Sequence, residues 1–555
     1  MKRIVLIGNG AREHCIAETL KRSPQGCELG VFASAMNPGI SGLASVYELT
    51  DSLLNFEALK KFASEFKPDF AVIGPDDPIA AGAADALLDL GIQSVAPLKV
   101  LAQVESSKAF ARELLLKYGI PGNPKFRVFS NEEGMLTYMQ ELGEYVVKAD
   151  GLMGGKGVQV SGEHLKTFEE GVAFALACIE KFGRVVVEEK FVGEEFSLMS
   201  FVSGTQVVDM PAAQDHKRAY EGDSGPNTGG MGTIGDIDHS LPFLKPSDLQ
   251  AAHEITVAVA SALLKETGKP YKGILYGGFM AVKDGVRLIE YNARFGDPET
   301  MNVLPLLRSD FIALCEGILA GNLDEVPVEF EKKATVVKYV CPEGYPVNPK
   351  KGERIELGPV PEGVKVYYAS VDKRDDGLFL LGSRGVAFVG IGDSLAEAEA
   401  LAEQAAAAVK GPVFHRRDIG TAALTQKRVD HMRDLRGGRD SIKFWSFASS
   451  GSVKKAGPLS FLETVAGSHP RAFEMSFCVI LISASRLFKA HRFPSPIFDR
   501  SKRVLSSTPP SSSFKSSSTS FTFSPMLKSS LRRSWWVFAL KSLFLSIEAS
   551  KSATG

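Results

Sequence analysis

The chain has 555 residues, 44% hydrophobic and 23% charged, a composition ordinary for a soluble protein and a length that excludes a single hydrophobic core; three or four domains are expected. The net charge of −1 conceals two unlike parts: residues 426–555 carry 21 Lys+Arg against 7 Asp+Glu, and residues 1–425 carry 43 against 58. The six cysteines are scattered, with no Cys-x-x-Cys pair and no neighbouring histidine cluster, which argues against a disulfide framework or a zinc site and for a reducing, cytoplasmic setting.

Met1-Lys2-Arg3 leads straight into an apolar strand, so no signal peptide is expected, and no run of 18 apolar residues suggests a transmembrane helix. Residues 1–100 alternate strand and helix patterns. Ile4–Ile7 reads as a strand, Gly8-Asn9-Gly10 as a turn and Arg12–Arg22 as a helix; Phe70–Ile73 is a buried strand closed by Gly74-Pro75, and Ile92–Ala96 a third. This alternation predicts an α/β fold built on a doubly wound parallel sheet. Residues 101–122 read as helical, with Ser106-Ser107 as the N-cap region for Lys108–Lys117. Between 123 and 195 come a strand (Tyr145–Lys148), a glycine-rich turn, a helix (Leu165–Lys181) and a strand (Val185–Glu189). Residues 196–330 mix strands with a glycine-rich loop, Gly222–Gly232, and a helix around Ala251–Glu266. A small β-rich domain follows over 331–425, ending in an Ala-rich helix from Ser394 to Lys410. No internal repeat of fixed period is found.

Of the last 130 residues 29 are Ser, a basic, serine-rich composition that predicts disorder, although Phe and Trp are more frequent than disorder favours. Three readings of this tail stay open: a linker or tail without enzymatic role, an out-of-frame translation, or a partner, membrane or targeting segment. It carries no nucleic-acid recognition motif.

Five segments carry chemistry. Gly8-Asn9-Gly10-Ala11-Arg12-Glu13-His14 follows a strand and opens a helix, a setting in which glycines let backbone amides approach a phosphate. The third glycine of a dinucleotide fingerprint is missing, and no acid closes the second strand at Val31-Phe32-Ala33-Ser34. A nicotinamide cofactor is therefore disfavoured, and a phosphate monoester or an empty tight turn remains. In Lys148-Ala149-Asp150-Gly151-Leu152-Met153-Gly154-Gly155-Lys156-Gly157 the Ser/Thr of a Walker A loop is replaced by Gly157. Two lysines flanking glycines can still neutralise a triphosphate from two directions; the alternative is a flexible surface turn. The strand Val185–Glu189 and the following Lys190-Phe191-Val192-Gly193-Glu194-Glu195 can offer backbone to an adenine edge and a carboxylate to ribose, although acidic pairs at strand ends are usually solvated. Gln214-Asp215-His216-Lys217-Arg218 and Gly225–Gly232 read as a ligand-wrapping region whose glycines carry an entropic cost; His216 is assigned no catalytic role. Lastly, in Leu288–Glu299 strand alternation sends Glu290, Asn292 and Arg294 to one side and Ile289, Tyr291 and Ala293 to the other. A Glu and an Asn are hard oxygen ligands for a phosphate-bound Mg²⁺, and an Arg forks onto phosphate or carboxylate. The alternative is a solvated Glu in a surface salt bridge.

Taken together, these residues resemble the ATP-grasp superfamily, and more closely its phosphoribosylamine–glycine ligase (glycinamide ribonucleotide synthetase) family. The resemblance runs over roughly residues 1–425 and is carried by GNGAREH (8–14), IGPDDPI (73–79), SSKAF (106–110), KADGLMGGKGV (148–158), EEKFVGEE (188–195), QDHKR (214–218), GPNTGGMG (225–232) and YNARFGDPE (291–299). It implies an N-terminal α/β substrate domain (1–102), an ATP-grasp domain (103–330) with a mobile nucleotide lid at about 123–195, a C-terminal β-rich domain (331–425) and a tail (426–555). It implies ATP-dependent ligation of glycine to 5-phosphoribosylamine through a glycyl phosphate, with no nucleic-acid or membrane partner and a monomeric or weakly oligomeric state.

By the same resemblance, Glu290 and Asn292 hold Mg²⁺ or Mn²⁺. Lys108, Lys148, Gly154, Gly155 and Lys156 meet the ATP phosphates, Lys156 with a catalytic role. Glu188, Glu189, Lys190 and Val192 frame adenine, and Glu194 or Glu195 takes ribose. Gly8, Asn9, Gly10, Asp76, Asp215, Lys217 and Asn227 bind the other substrates, and Arg294 holds a carboxylate or its acyl phosphate as a catalytic residue. The sequence departs from the family pattern at Asp76-Asp77, where a longer acid is usual, at Met153-Gly154, where alanines are common, and at Lys190, which replaces an apolar hinge residue. The alternative is another ATP-grasp carboxylate–amine ligase or an inactive nucleotide-binding protein.

Overall fold

The structure, a computed structural model, describes residues 1–154 and 157–437. Its N-terminal sheet has five parallel strands in the order Val46–Leu49, Cys27–Ala33, Lys2–Ile7, Phe70–Ile73, Ser94–Val95. Ile4–Ile7 and Phe70–Ile73 are buried on both faces, as a parallel sheet covered by helices on each side requires, which is why they read as unbroken apolar runs. The chain reverses its winding between Lys2–Ile7 and Phe70–Ile73, so the loops Gly8–Gly10 and Gly74–Asp76 meet at a topological switch point, where open α/β sheets bind ligands.

Two four-stranded antiparallel sheets follow. One has the order Phe126–Phe129, Val185–Glu189, Tyr145–Ala149, Val158–Val160 and, with the helices Met135–Leu142 and Phe168–Phe182, encloses a small core of its own around Met135, Met139, Tyr145, Val147 and Val187. The other runs Gln206–Asp209, Gly193–Ser203, Lys272–Val282, Gly285–Asn292, backed by the 22-residue helix Pro246–Thr267. Its core is continuous with that of the N-terminal sheet and with Val336, Tyr339 and Val389 of the C-terminal part.

The C-terminal sheet is centred on Ala334–Pro342, flanked by Val386–Gly392 and then Val364–Tyr368 on one side. On its other side lie Gly232–Gly235 and Gln214–Asp215, two strands from the preceding stretch. The sheet is therefore not confined to residues after 330. Nor is Gly222–Gly232 a plain loop: Ser224–Asn227 pairs with Arg218–Tyr220 as a hairpin. The expected helix over 101–122 is two helices, Lys99–Ser106 and Lys108–Lys117, broken at Ser107, whose hydroxyl caps the second. A last helix, Ala422–Leu435, capped by Thr421, runs straight through the boundary expected at 425. No helix among the described residues is long and apolar enough to cross a membrane, and the five described cysteines are buried and free.

Candidate active site

Between the two antiparallel sheets lies a cleft of about 670 Å³, reaching Arg12 and Asp76 of the N-terminal part and Arg384 of the C-terminal part. The strand Gly285–Asn292 forms its floor. Opposite Gly278 this strand carries a β-bulge: Glu290 pairs with Gly278 and Leu288 with Phe279, leaving Ile289 as the extra residue. The bulge breaks the alternation that sequence reasoning assumed. Tyr291 and Ala293 are buried as expected, but Ile289 lines the cleft beside Glu290.

The bulge also frees backbone carbonyls, and a buried ion cluster captures them. Arg112 donates to Leu288 O (3.1 Å) and Ile289 O (2.6 Å), and Lys148 Nζ donates to Ile289 O (2.9 Å). Both cations close on Glu188, at 2.8 Å from Arg112 Nε and 2.5 Å from Lys148 Nζ. Burial pushes the Glu188 carboxyl up, but Arg112 and Lys148 hold it below the usual carboxylate range. Both Glu188 oxygens thus accept from buried cations, and the acid ties Lys148 and Arg112 together beneath the cleft.

Glu290, Asn292 and Arg294 project along one edge of the cleft. Arg294 Nη2 donates to Asn292 Oδ1 (3.2 Å) and lies 3.1 Å from the buried Glu105, which also accepts from Ala293 N (2.7 Å). Against the pull of burial, Glu105 and Asp76 keep the Arg294 guanidinium firmly charged. Lys108 Nζ sits 3.5 Å from Glu290 Oε2. Burial works against the Glu290 carboxylate, yet Lys108, Lys217 and Lys148 together pull it down to about 2. Lys108 is placed by its helix, whose start is fixed by Asp150: this carboxylate accepts from Ala109 N and Ser107 Oγ, both at 2.9 Å, and pairs with Arg184. The base of the glycine turn and the Lys108 helix are thereby joined.

Across the cleft, Lys217 lies 3.0 Å from Glu195, and that acid raises its pKa most, with Glu290 and Asp215 adding to it. Burial, and the neighbouring Glu299, push Asp215 well above the ordinary range. Its Oδ1 has no hydrogen-bond partner. Gly230, at φ +109°, presses against it: a Cβ there would stand 2.6 Å from Asp215 Oδ1, so only glycine lets the loop close this tightly. Glu299 accepts from Tyr276 Oη at 2.6 Å.

The cleft gathers most of the residues singled out from sequence, including Asp76, Lys108, Lys148, Gly154, Glu189, Lys190, Glu195, Asp215, Lys217 and Asn227. Gly155 and Lys156 lie outside the described residues. Val192 is turned outward, 50% exposed, and Phe191 lines the cleft in its stead. Gly8, Asn9 and Gly10 do not line it either. There the helix N-terminus is partly satisfied from within, since Gly10 N donates to Glu13 Oε2 at 2.6 Å. Glu194 is taken by His431 (2.6 Å) and Arg428 (3.3 Å), whereas Glu195 is half exposed. Sequence reasoning missed Arg12, Glu105, Arg112, Arg384 and Arg428. Only the helical period around Glu105 and Arg112 hinted at a shared buried face; the others reach the cleft from distant segments.

A divalent cation fits the Glu290–Asn292 edge on the chemistry of its donors, an ionised carboxylate whose Lys108 contact is loose and an amide oxygen that keeps a lone pair beside its bond from Arg294. No group of three or more His, Cys, Asp or Glu able to hold a metal exists among the described residues. Such an edge suits an ion that brings phosphate oxygens and waters with it, rather than one caged by protein.

Comparison with known proteins places most of the described chain in one family. The chain matches family descriptions for phosphoribosylglycinamide synthetase in three successive parts: the N domain over 2–105, the ATP-grasp (A) domain over 106–300 and the C domain over 335–422. It is 45% identical to the phosphoribosylamine–glycine ligase of Methanosarcina barkeri over 435 residues, 78% of this chain and 100% of that protein. Identity to the Methanocaldococcus jannaschii enzyme of the same name is also 45%, over 445 residues. The crystal structure of phosphoribosylamine–glycine ligase from Thermotoga maritima superposes with a TM-score of 0.64 at 31% identity, covering 75% of this chain and 99% of that one. A Hydrogenobacter thermophilus biotin carboxylase domain, solved with MgADP and bicarbonate, shares the fold at a TM-score of 0.59 and 15% identity, covering 79% of this chain and 95% of that one.

Proposed function

The chain belongs to the phosphoribosylglycinamide synthetase family of ATP-grasp ligases, and from that premise we propose how its residues divide the work. The reaction is the ATP-dependent joining of glycine to 5-phosphoribosylamine, a step of purine biosynthesis that gives glycinamide ribonucleotide, ADP and phosphate.

A carboxylate is a poor acyl donor, so a glycine oxygen attacks the γ-phosphorus, ADP leaves, and glycyl phosphate forms. The ribosylamine nitrogen then attacks the acyl carbon, phosphate leaves and the nitrogen loses a proton. Little of this is covalent work for the protein; it positions the reactants and neutralises charge. Lys108 and Lys148 face the phosphates, with Lys156 of the glycine turn. Glu290 and Asn292 hold Mg²⁺ or Mn²⁺, which supplies charge neutralisation at the phosphates when bound. The backbone of Glu189–Phe191 meets the adenine edge, with Ile289 as an apolar neighbour. Glu195, half exposed to the cleft, takes the ribose hydroxyls, whereas Glu194 is buried between His431 and Arg428. Arg294, fixed by Glu105 and Asn292, holds the glycine carboxylate and then its acyl phosphate. Asp215, a cleft-lining acid whose buried Oδ1 has no partner in the fold, accepts from the glycine ammonium. Asp76 and the Gly8–Gly10 turn at the switch point take phosphoribosylamine.

The observation that carries this reading is the single edge of Glu290, Asn292 and Arg294, with Lys108 3.5 Å from Glu290 and Lys148 bonded to the carbonyl of the preceding residue. A coupled ADP-release assay on the purified chain tests it. Sustained release should require glycine and phosphoribosylamine together. Equal rates with another amino acid or another amine point to a different ligase, and ATP binding without turnover points to an inactive relative.

A further inference from the structure

We propose that Arg428, on the helix Ala422–Leu435, is a positioning residue of the nucleotide half of the cleft, holding the strand that starts at Gly193 and the hairpin Arg218–Asn227 in register with each other. The proposal rests on the nucleotide reading given above but concerns a residue beyond the family's matched C domain, which ends at 422.

Arg428 lines the cleft and makes two carboxylate contacts on segments far apart in sequence. Its Nη1 is 3.3 Å from Glu194 Oε2, and its Nη2 pairs with Asp223 Oδ2. Its Nε is buried and has no partner. Glu194 is the residue before the proposed ribose ligand, and its side chain is only 6% exposed. Asp223 sits at the tip of the hairpin whose second strand ends at Asn227, and Asn227, Thr228 and Gly229 line the cleft. The tip is a demanding conformation, because Asp223 has φ 58° without being glycine. Two arginines hold it there. Although burial pushes the Asp223 carboxyl up, Arg428 and Arg416 bring it below its usual range.

The helix that carries Arg428 is itself fastened at its far end and at its base. Arg436 forks onto Asp248 at 2.8 and 2.9 Å and donates to Val282 O at 3.1 Å, at the end of the strand paired with Gly193. Arg416, clamped by Asp418, donates to Arg218 O at 3.2 Å and reaches Asp223 at 3.1 Å. Fixed in this way, the helix presents a guanidinium whose fork spans two carboxylates, a geometry a point charge cannot reproduce. Removing it leaves Glu194 with His431 and Asp223 with Arg416, so the strand and the hairpin lose their shared partner.

The test uses the full chain with three variants: Arg428→Met, Arg428→Lys and Asp223→Asn. Arg428 touches neither Glu290 nor Arg294, so it shapes ground-state binding rather than the phosphoryl transfer. Arg428→Met should raise KM for ATP about tenfold with kcat within about threefold of the parent. Arg428→Lys should fall between, and Asp223→Asn should raise KM in the same direction, with the Met–Asn double variant clearly less than multiplicative because both changes break one contact. Should Arg428→Met not fold, the Lys and Asn variants carry the same test. A KM for ATP within twofold of the parent in these variants, with or without a lower melting temperature, overturns the proposal and leaves Arg428 a packing residue. An inert parent chain overturns instead the nucleotide reading on which it rests.

Discussion

Replacing Glu290 by Gln separates this site from an ordinary acidic cleft. A binding-site carboxylate is often a liability to the fold, and neutralising it then stabilises the protein. Glu290 should behave in the opposite way, because the groups around it are cations: Lys108 at 3.5 Å, with Lys217 and Lys148 behind. Its carboxyl falls from the ordinary 4.5 to about 2. At 1.36 kcal/mol per pKa unit this corresponds to roughly 3 kcal/mol in favour of the ionised form, an upper figure because water reaches part of the side chain. The folded value is the depressed one, so the contribution is complete above pH 4.5 and disappears as pH falls through about 2. Glu290→Gln should therefore melt below the parent at pH 7, with the gap closing as the pH is lowered toward 3. Turnover at saturating Mg²⁺ should fall by about 10²–10³-fold, the scale seen when one preorganised electrostatic group is removed. Differential scanning calorimetry and the ADP-release assay read the two effects. A variant that melts higher than the parent at pH 7, or that keeps parental turnover, refutes the reasoning.

Two further substitutions probe the rest of the cleft. Glu188→Gln leaves Arg112 and Lys148 buried side by side without their acid; it should cost about 3–5 kcal/mol of stability in chemical denaturation and lower kcat through a misplaced Lys148. A loss of activity without any loss of stability would instead make Glu188 a direct ligand. Asp215→Asn should do the reverse. The folded-state pKa is raised by burial and by Glu299, so the parent loses stability as the pH rises from 3.8 toward that higher value. Neutralising the residue should stabilise the free protein at neutral pH by about 1–3 kcal/mol, the scale of an unsatisfied buried acceptor, while kcat/KM for glycine drops. A destabilised Asp215→Asn protein would show that the carboxylate is satisfied in the fold and unavailable to substrate.

The legible parts of this chain were those governed by local rules. Ile4–Ile7 and Phe70–Ile73 announced a parallel sheet because strands buried on both faces must be apolar throughout. Ser107 marked its helix because a hydroxyl there satisfies the Phe110 amide, which has no carbonyl partner in the first turn. Glu290, Asn292 and Arg294 were found together because they lie within five residues on one edge. What stayed hidden depended on partners far along the chain. The bulge at Ile289 leaves the pattern of its own strand unmarked; its carbonyls are held by Arg112 and Lys148 from two other segments. Glu188 looked like one more acid at a strand end until those cations closed on it. The change of composition near residue 425 suggested a boundary there, but Ala422–Leu435 is amphipathic enough to dock Leu424 and Met432, and it carries Arg428 and Arg436 into the fold. Residues 426–435 therefore belong to the folded part of the chain rather than to the tail expected from composition.

Isotope transfer tests the central claim, that this cleft activates a carboxylate by phosphorylating it. Glycine labelled with ¹⁸O in its carboxyl group is supplied with ATP and phosphoribosylamine, and the released phosphate is analysed by mass spectrometry. If the glycine oxygen attacks the γ-phosphorus, the phosphate carries one labelled oxygen for each turnover. Unlabelled phosphate during active ligation would mean that the acyl phosphate never forms, and the roles given to Arg294, Lys108 and Glu290 would fall with it.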